Sequence, residues 1–152
     1  HPLKLEKQMN FMKENNIAFS FTKYQTILED GRLRKIIHAP NEMTYSSYLR
    51  NTIIGCLTVI IDRKKTGNFE MLDIRSSHDM SLWLTIMKRG FNAYGLDENL
   101  ATYRIVGTSN TSNKLRAAKD VWHVYRKVEK LGLIYSVFNF IGYVFNAIIK
   151  RM

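Results

Sequence analysis

The stretch His78-Asp79-Met80-Ser81-Leu82-Trp83-Leu84-Thr85-Ile86-Met87-Lys88-Arg89-Gly90 is the clearest structural signal in this chain of 152 residues. Leu82, Trp83, Ile86 and Met87 share one apolar face at helical spacing. Ser76 or Ser77 is placed to cap the helix, and Asp79 falls in its first turn, where a carboxylate complements the positive end of the helix dipole. Lys88 and Arg89 occupy the last turn and Gly90 ends it. A core-facing helix is therefore expected over residues 76–90.

Strand signals lie on both sides of it. Ile17, Phe19 and Phe21 alternate with Ala18, Ser20 and Thr22, the period-two pattern of a strand running to about Leu28. Asp30-Gly31 is a hairpin-type turn, and residues 33–37 return as a second strand. Residues 3–14 fit a short amphipathic helix ending at Asn15-Asn16, and residues 44–51 a second short helix. The apolar run at 55–62 reads as a strand buried on both faces. Lys64 to Asn68 read as a turn and residues 69–72 as a brief extended piece. Residues 91–94 and 100–106 look extended, and 107–113 form a polar loop. Strands mixed with helices define an α/β class, a mixed sheet with flanking helices.

From Lys114 onward nothing interrupts a helix, and residues 131–149 are almost wholly apolar. Ser136, Asn139, Tyr143, Asn146 and Lys150 trace one narrow polar stripe there. The charge balance concentrates in this tail. The chain carries 23 basic and 13 acidic residues, a net +10. Residues 114–151 hold eight of the basic and two of the acidic ones, so the excess calls for an anionic partner at this end. A helix of about 28 Å approaches the thickness of a bilayer core. Its asparagines and flanking cations suit the membrane interface better than a span. Lys127, Lys130, Phe138, Phe145, Lys150 and Arg151 are the expected contacts with an anionic membrane surface. The alternatives are a tail packed on a missing part of a longer protein or on a second copy as a homodimer, and a true span. The sequence divides into a body at 1–113 and a basic, apolar helical tail at 114–152.

Composition excludes several classes. Hydrophobic residues make up 45% and charged residues 24%, which rules out disorder. The single cysteine, Cys56, cannot close an internal disulfide, so the chain reads as intracellular or indifferent to redox, and the thiol, in an apolar run, as buried and inert. The four histidines have no metal-ligand spacing, and no phosphate-cradling Gly-rich loop is present. Nothing resembling a base-stacking motif or a recognition helix accompanies the charge, so no nucleic-acid partner is expected.

Three segments, His78-Asp79-Met80-Ser81-Leu82-Trp83-Leu84 with Lys88-Arg89-Gly90, then Leu100-Ala101-Thr102-Tyr103-Arg104, then Ser112-Asn113-Lys114, resemble in order and separation the C-terminal half of family 2 glycosyltransferases. Pro2-Leu3-Lys4-Leu5-Glu6-Lys7-Gln8 is similar to the stretch that follows the metal-binding acidic motif of that family. The resemblance covers nearly the whole chain. It implies the C-terminal portion of a nucleotide-diphospho-sugar transferase (GT-A) sheet. The implied enzyme moves a sugar from a nucleotide-sugar donor to a glycan or lipid-linked acceptor with inversion. The implied setting is bacterial cell-surface polysaccharide or capsule synthesis, on the cytoplasmic face of the plasma membrane.

By the same resemblance Asp79 matches the catalytic base, which takes the acceptor hydroxyl's proton as its oxygen attacks the anomeric carbon. His78 stands where the family often has an acidic residue or Gln and is a candidate substrate contact. Trp83 is a candidate acceptor platform or a core side chain. Arg104 is a candidate diphosphate contact or a partner in a structural ion pair. The family's acidic cation-binding motif is absent, and Val106 stands where relatives carry a metal-coordinating His. A divalent cation, Mg or Mn, is thus expected for the longer enzyme, while no metal ligand is nominated here. The piece alone is expected to be inactive, because nothing in it stabilises the leaving diphosphate. A non-catalytic membrane or protein interaction module retaining the fold is the alternative.

Overall fold

A computed structural model describes residues 1–74, 76–107 and 114–149. The central strand β1 (Phe19–Ile27) carries Phe19 and Phe21 on one face and Ser20 and Thr22 on the other, all buried. Burial on both faces follows from what covers each. Helix α1 (Lys4–Glu14) places the buried Gln8 over the polar face, and its amide donates to Ser20 Oγ and to the Thr58 carbonyl, each at 2.9 Å. The apolar face meets the main core, where Phe19 packs against Trp83 with ring centroids 5.4 Å apart.

Strand β2 (Leu33–Ile37) returns antiparallel to β1, as the Asp30-Gly31 turn predicts. The short strand β3 (Glu42–Met43) leads into helix α2 (Tyr45–Arg50), capped by Thr44 with Ser47 in a reciprocal capping box. A 3-10 turn (Cys56–Thr58), strand β4 (Ile60–Ile61) and helix α3 (Arg63–Thr66) follow. Helix α4 (His78–Lys88) then crosses back to strand β5 (Ala93–Arg104), which pairs parallel with β1 from Ser20–Tyr94 to Ile27–Arg104. A parallel pair needs such a crossover connection. The sheet is mixed, in the order β2-β1-β5-β3, with β4 also paired to β1. The expected architecture, a mixed sheet with flanking helices, is therefore present. The two extended pieces expected at 91–94 and 100–106 prove to be the ends of one continuous strand, which starts at Ala93 and stops at Arg104. Gly95 is required in it, because a Cβ there would lie 2.1 Å from the Pro40 carbonyl oxygen.

The run at 55–62 departs from expectation. Thr58 donates both its amide and its hydroxyl to the Gly55 carbonyl, at 2.9 and 2.7 Å, which curls the chain into the 3-10 turn. Only Ile60 and Ile61 enter the sheet, and Cys56 and Leu57 are exposed. Cys56 is therefore not the buried thiol its apolar neighbours suggested. Asp62 caps α3 by accepting from the Lys64 and Lys65 amides, so a helical turn forms where a plain turn was expected. At α4 the cap differs too: Ser77 holds the N-cap position at φ 61° without a side-chain cap bond, while Ser76 donates to Asp120.

The tail is two helices, not one. Helix α5 (Lys114–His123) continues into a π turn (Val124–Val128) and contributes Val121, with Val124 and Tyr125, to the core. The Tyr125 hydroxyl donates to the Leu49 carbonyl. The chain then bends at Lys130, φ 53°, before helix α6 (Leu133–Ile149). Glu129 explains the bend. Its carboxylate, 1% exposed, accepts from the Tyr45 hydroxyl at 2.6 Å and from Lys88 Nζ at 3.0 Å, which pins the elbow to α2 and α4. Among the described residues no helix is long and apolar enough to cross a membrane.

Candidate functional site

Strands β1 and β5 end side by side, Ile27 against Arg104. Ligands of open α/β sheets bind beyond the carboxyl ends of the parallel strands. Four aromatic or acidic side chains converge on this half of the sheet. Asp79, half-buried in the first turn of α4, accepts from the Met80 amide at 2.8 Å, which orients its carboxylate at the positive end of the helix. The buried Tyr48 of α2 has its hydroxyl held well above the ordinary phenol range. Burial is the main cause, and the negative charge of Asp79 adds to it, with Cys56, Tyr125 and Tyr24 as further neighbours. The Cys56 thiol is likewise raised, by burial and then by Asp79. Tyr24 is pushed up to about 12 by burial and by the neighbouring Tyr103. The rings of Tyr24 and Tyr103 meet edge to face, 6.3 Å between centroids.

Asp79, Cys56 and Tyr24 are thus neighbours of the buried Tyr48, and Tyr24 in turn meets the exposed Tyr103. A carboxylate fixed among neutral hydroxyls and a neutral thiol is suited to receiving a proton from a hydroxyl-bearing substrate. Tyrosine faces suit the apolar faces of sugar rings. His78 lies at the start of α4, exposed. Arg104 is exposed and donates from Nη1 to the Leu28 and Glu29 carbonyls at 3.3 and 2.9 Å, so its partners are backbone oxygens rather than a carboxylate. Trp83 is 3% exposed and belongs to the core, its indole N–H without a protein partner. The structure thus offers Tyr103, not Trp83, as the aromatic surface of this site. Sequence reasoning missed Tyr48, Tyr24 and Tyr103, because only the folded chain brings residues 24, 48, 56, 79 and 103 together. The Tyr-Arg pair was the one available signal for Tyr103.

Among the described residues there is no group of three or more His, Cys, Asp or Glu side chains able to hold a metal ion. Ser112, Asn113, Lys150 and Arg151 lie outside the described residues. Of the expected membrane contacts, Lys127, Lys130, Phe138 and Phe145 are exposed.

No family model matches the chain. Individual relatives do. Over 150 residues, 98% of this chain, it is 51% identical to a protein of Bacillus subtilis (strain 168) whose name assigns it to teichuronic acid biosynthesis as the glycosyltransferase TuaG. Over 141 residues it is 36% identical to the Escherichia coli enzyme WfgD, a UDP-Glc:alpha-D-GlcNAc-diphosphoundecaprenol beta-1,3-glucosyltransferase. Over 113 residues it is 30% identical to WfaP of the same species, named for the same reaction. By sequence the chain is similar, over nearly its whole length, to part of these bacterial glycosyltransferases. It covers 60% of TuaG, 55% of WfgD and 44% of WfaP, so it corresponds to part of each of these longer enzymes.

Proposed function

We propose that this chain supplies the acceptor side of an inverting glycosyltransferase that moves a sugar from a nucleotide-sugar donor to a glycan or lipid-linked acceptor. The carrying observation is the placement of Asp79. It lies at the positive end of α4, half-buried and held by the Met80 amide. In the proposed step Asp79 takes the proton of the acceptor hydroxyl. The freed oxygen pair attacks the anomeric carbon from the side opposite the leaving group, and the bond from that carbon to the diphosphate oxygen breaks. The nucleoside diphosphate leaves with the electron pair, and the sugar's configuration inverts. Tyr103 supports a sugar face, His78 faces the substrates from the helix start, and the remaining Arg104 N–H groups are directed at the diphosphate.

The names of WfgD and WfaP, with their diphosphoundecaprenol acceptor and beta linkage, and that of TuaG support a lipid-linked acceptor, inversion and a role in cell-envelope polysaccharide synthesis. This reading assigns the Mg or Mn ion expected for the longer enzyme to its other part, and no step runs through it; among the residues described here no group of three or more His, Cys, Asp or Glu could hold one. The site of action in this reading is the cytoplasmic face of the bacterial plasma membrane, with the enzyme held there peripherally. Neither the fold nor the named relatives favour a non-catalytic interaction module.

The test is Asp79→Asn in the longer enzyme, followed as transfer of labelled sugar to a diphosphate-lipid acceptor. General-base removal is expected to lower kcat by about 10²–10⁴-fold with donor affinity unchanged. Activity within a few-fold of the parent refutes the assignment.

A further inference from the structure

The amphipathic pattern of α6 is oriented the wrong way round for a helix packed on a protein core. Its polar stripe faces inward: Ser136 and Asn139 are buried, and Asn146 donates to the Arg50 carbonyl at 3.1 Å. Gly142 lies against Arg50, where a Cβ would come within 2.9 Å of Cγ. The bulky residues point away from the body. Ile134 is 88% exposed and Phe138 60%, with Ile141, Phe145 and Ile148 continuing the same face. Soluble monomers rarely expose so long a contiguous apolar surface. This face is not waiting to fold back onto the body, because the side of α6 that meets α2 is already occupied by the polar stripe.

Charge identifies the occupant. Both acidic side chains of residues 114–149 are engaged inward, Asp120 by Ser76 and Glu129 by Tyr45 and Lys88. Lys127 and Lys130 are exposed at the elbow where α6 begins, and the Arg50 guanidinium sits 5.8 Å from the centroid of the Phe138 ring. An apolar face flanked by cations, opposite a polar stripe, is the signature of a helix lying in a membrane interface. We propose that α6 docks lengthwise on an anionic phospholipid surface, its Ile134–Phe138–Ile141–Phe145–Ile148 face in the acyl boundary and Lys127 and Lys130 on the headgroups. This deepens the functional reading above, because it assigns the membrane contact to one face and fixes how the body stands on it.

The experiment is flotation of the full chain with vesicles of phosphatidylglycerol and phosphatidylethanolamine, against vesicles of phosphatidylcholine alone. Parent protein is expected to float with the anionic vesicles and to be released by added salt. The double variant Phe138→Asp/Phe145→Asp should lose at least tenfold in bound fraction while keeping the parent's circular dichroism and melting curve, since both side chains are exposed. Lys127→Glu/Lys130→Glu, a second surface variant, should weaken binding to anionic vesicles only. The inference is overturned if the parent stays in solution. It is equally overturned if the Asp variants float like the parent, or if the parent is a vesicle-free dimer that the same substitutions dissociate. Transfer to a water-soluble acceptor, measured in the longer enzyme, separates this from the catalytic reading. Asp79→Asn should abolish it and Phe138→Asp/Phe145→Asp should spare it, so either proposal can fail alone.

Discussion

The elbow at Glu129 makes a quantitative prediction. Its carboxylate is 1% exposed, and Lys88 Nζ, half-exposed, lies 3.0 Å from one oxygen. At an effective dielectric of about 20, charges at that distance attract by roughly 5 kcal/mol. Hydration of the exposed lysine and the rotamer freedom it gives up remove most of that, leaving a coupling of about 1–2 kcal/mol, above an exposed pair and below a fully buried one. Lys88→Met leaves a buried carboxylate with only Tyr45 to satisfy it and should cost about 2–3 kcal/mol. Glu129→Gln keeps an acceptor for Tyr45 and strands only a hydratable lysine, so about 1 kcal/mol is expected. The double variant, with no charge left unpaired, should be more stable than the sum of the two by the coupling. Thermal denaturation of the four proteins measures this, at about 2–4 °C in Tm per kcal/mol for a domain of this size. Single effects that add to within about 0.5 kcal/mol would show that the pair is incidental and that the bend has another cause.

Three further outcomes are expected. Cys56 is exposed, yet its thiol is raised by burial and by Asp79, so its alkylation rate should keep climbing above the pH where an ordinary thiol levels off. Because Asp79 disfavours the thiolate, Asp79→Asn should move the profile to lower pH, and an unmoved profile would deny that the two groups are neighbours. Gly95→Ala drives a methyl into the Pro40 carbonyl and should lower stability by about 2–3 kcal/mol, read in a urea melt; a neutral result would mean that β5 and the Pro40 segment before β3 are not so closely apposed. Tyr103→Ala should raise KM for the acceptor several-fold in the longer enzyme while Tyr103→Phe stays near the parent, since the proposed role needs the ring face and not the hydroxyl. Equal losses in both variants would exclude a stacking role.

What could be read from the sequence was local. The period-two alternation at Ile17–Phe21, the Asp30-Gly31 turn and the dipole-complementing Asp79 each depend on residues a few positions apart, and each is found where expected. Hydrophobicity alone misled at 55–62, because the Thr58 hydroxyl competes with strand pairing by folding back on Gly55. The break in the tail was invisible for a different reason. Locally only Gly132 hints at a stop, and the Glu129 that pins the elbow finds its partners, Tyr45 and Lys88, in distant parts of the chain. The same limit applied to the site: Asp79 could be nominated, but the tyrosines around it come from β1, α2 and β5, and no spacing in the sequence announces them.

The orientation of α6 shows why an amphipathic pattern names two faces without saying which one meets the protein. Helix α2 lies between α4 and α6, and its Arg50 approaches Gly142 so closely that only a glycine fits there. Small side chains such as Ser136 and Asn139 allow that approach, and the bulky face would hold the helices apart. Close packing therefore selects the polar stripe as the buried side, and its hydrogen bonds to backbone carbonyls, Asn139 to Tyr135 at 2.8 Å and Asn146 to Arg50, satisfy the groups it buries. The apolar face is turned outward as a consequence. Because α4 carries Asp79 and α2 separates it from α6, a surface docked on α6 would lie about two helix layers from the carboxylate, roughly 20 Å at 8–10 Å per layer. The outward apolar face of α6 and the carboxylate of Asp79 are thus carried by two helices that both pack on α2.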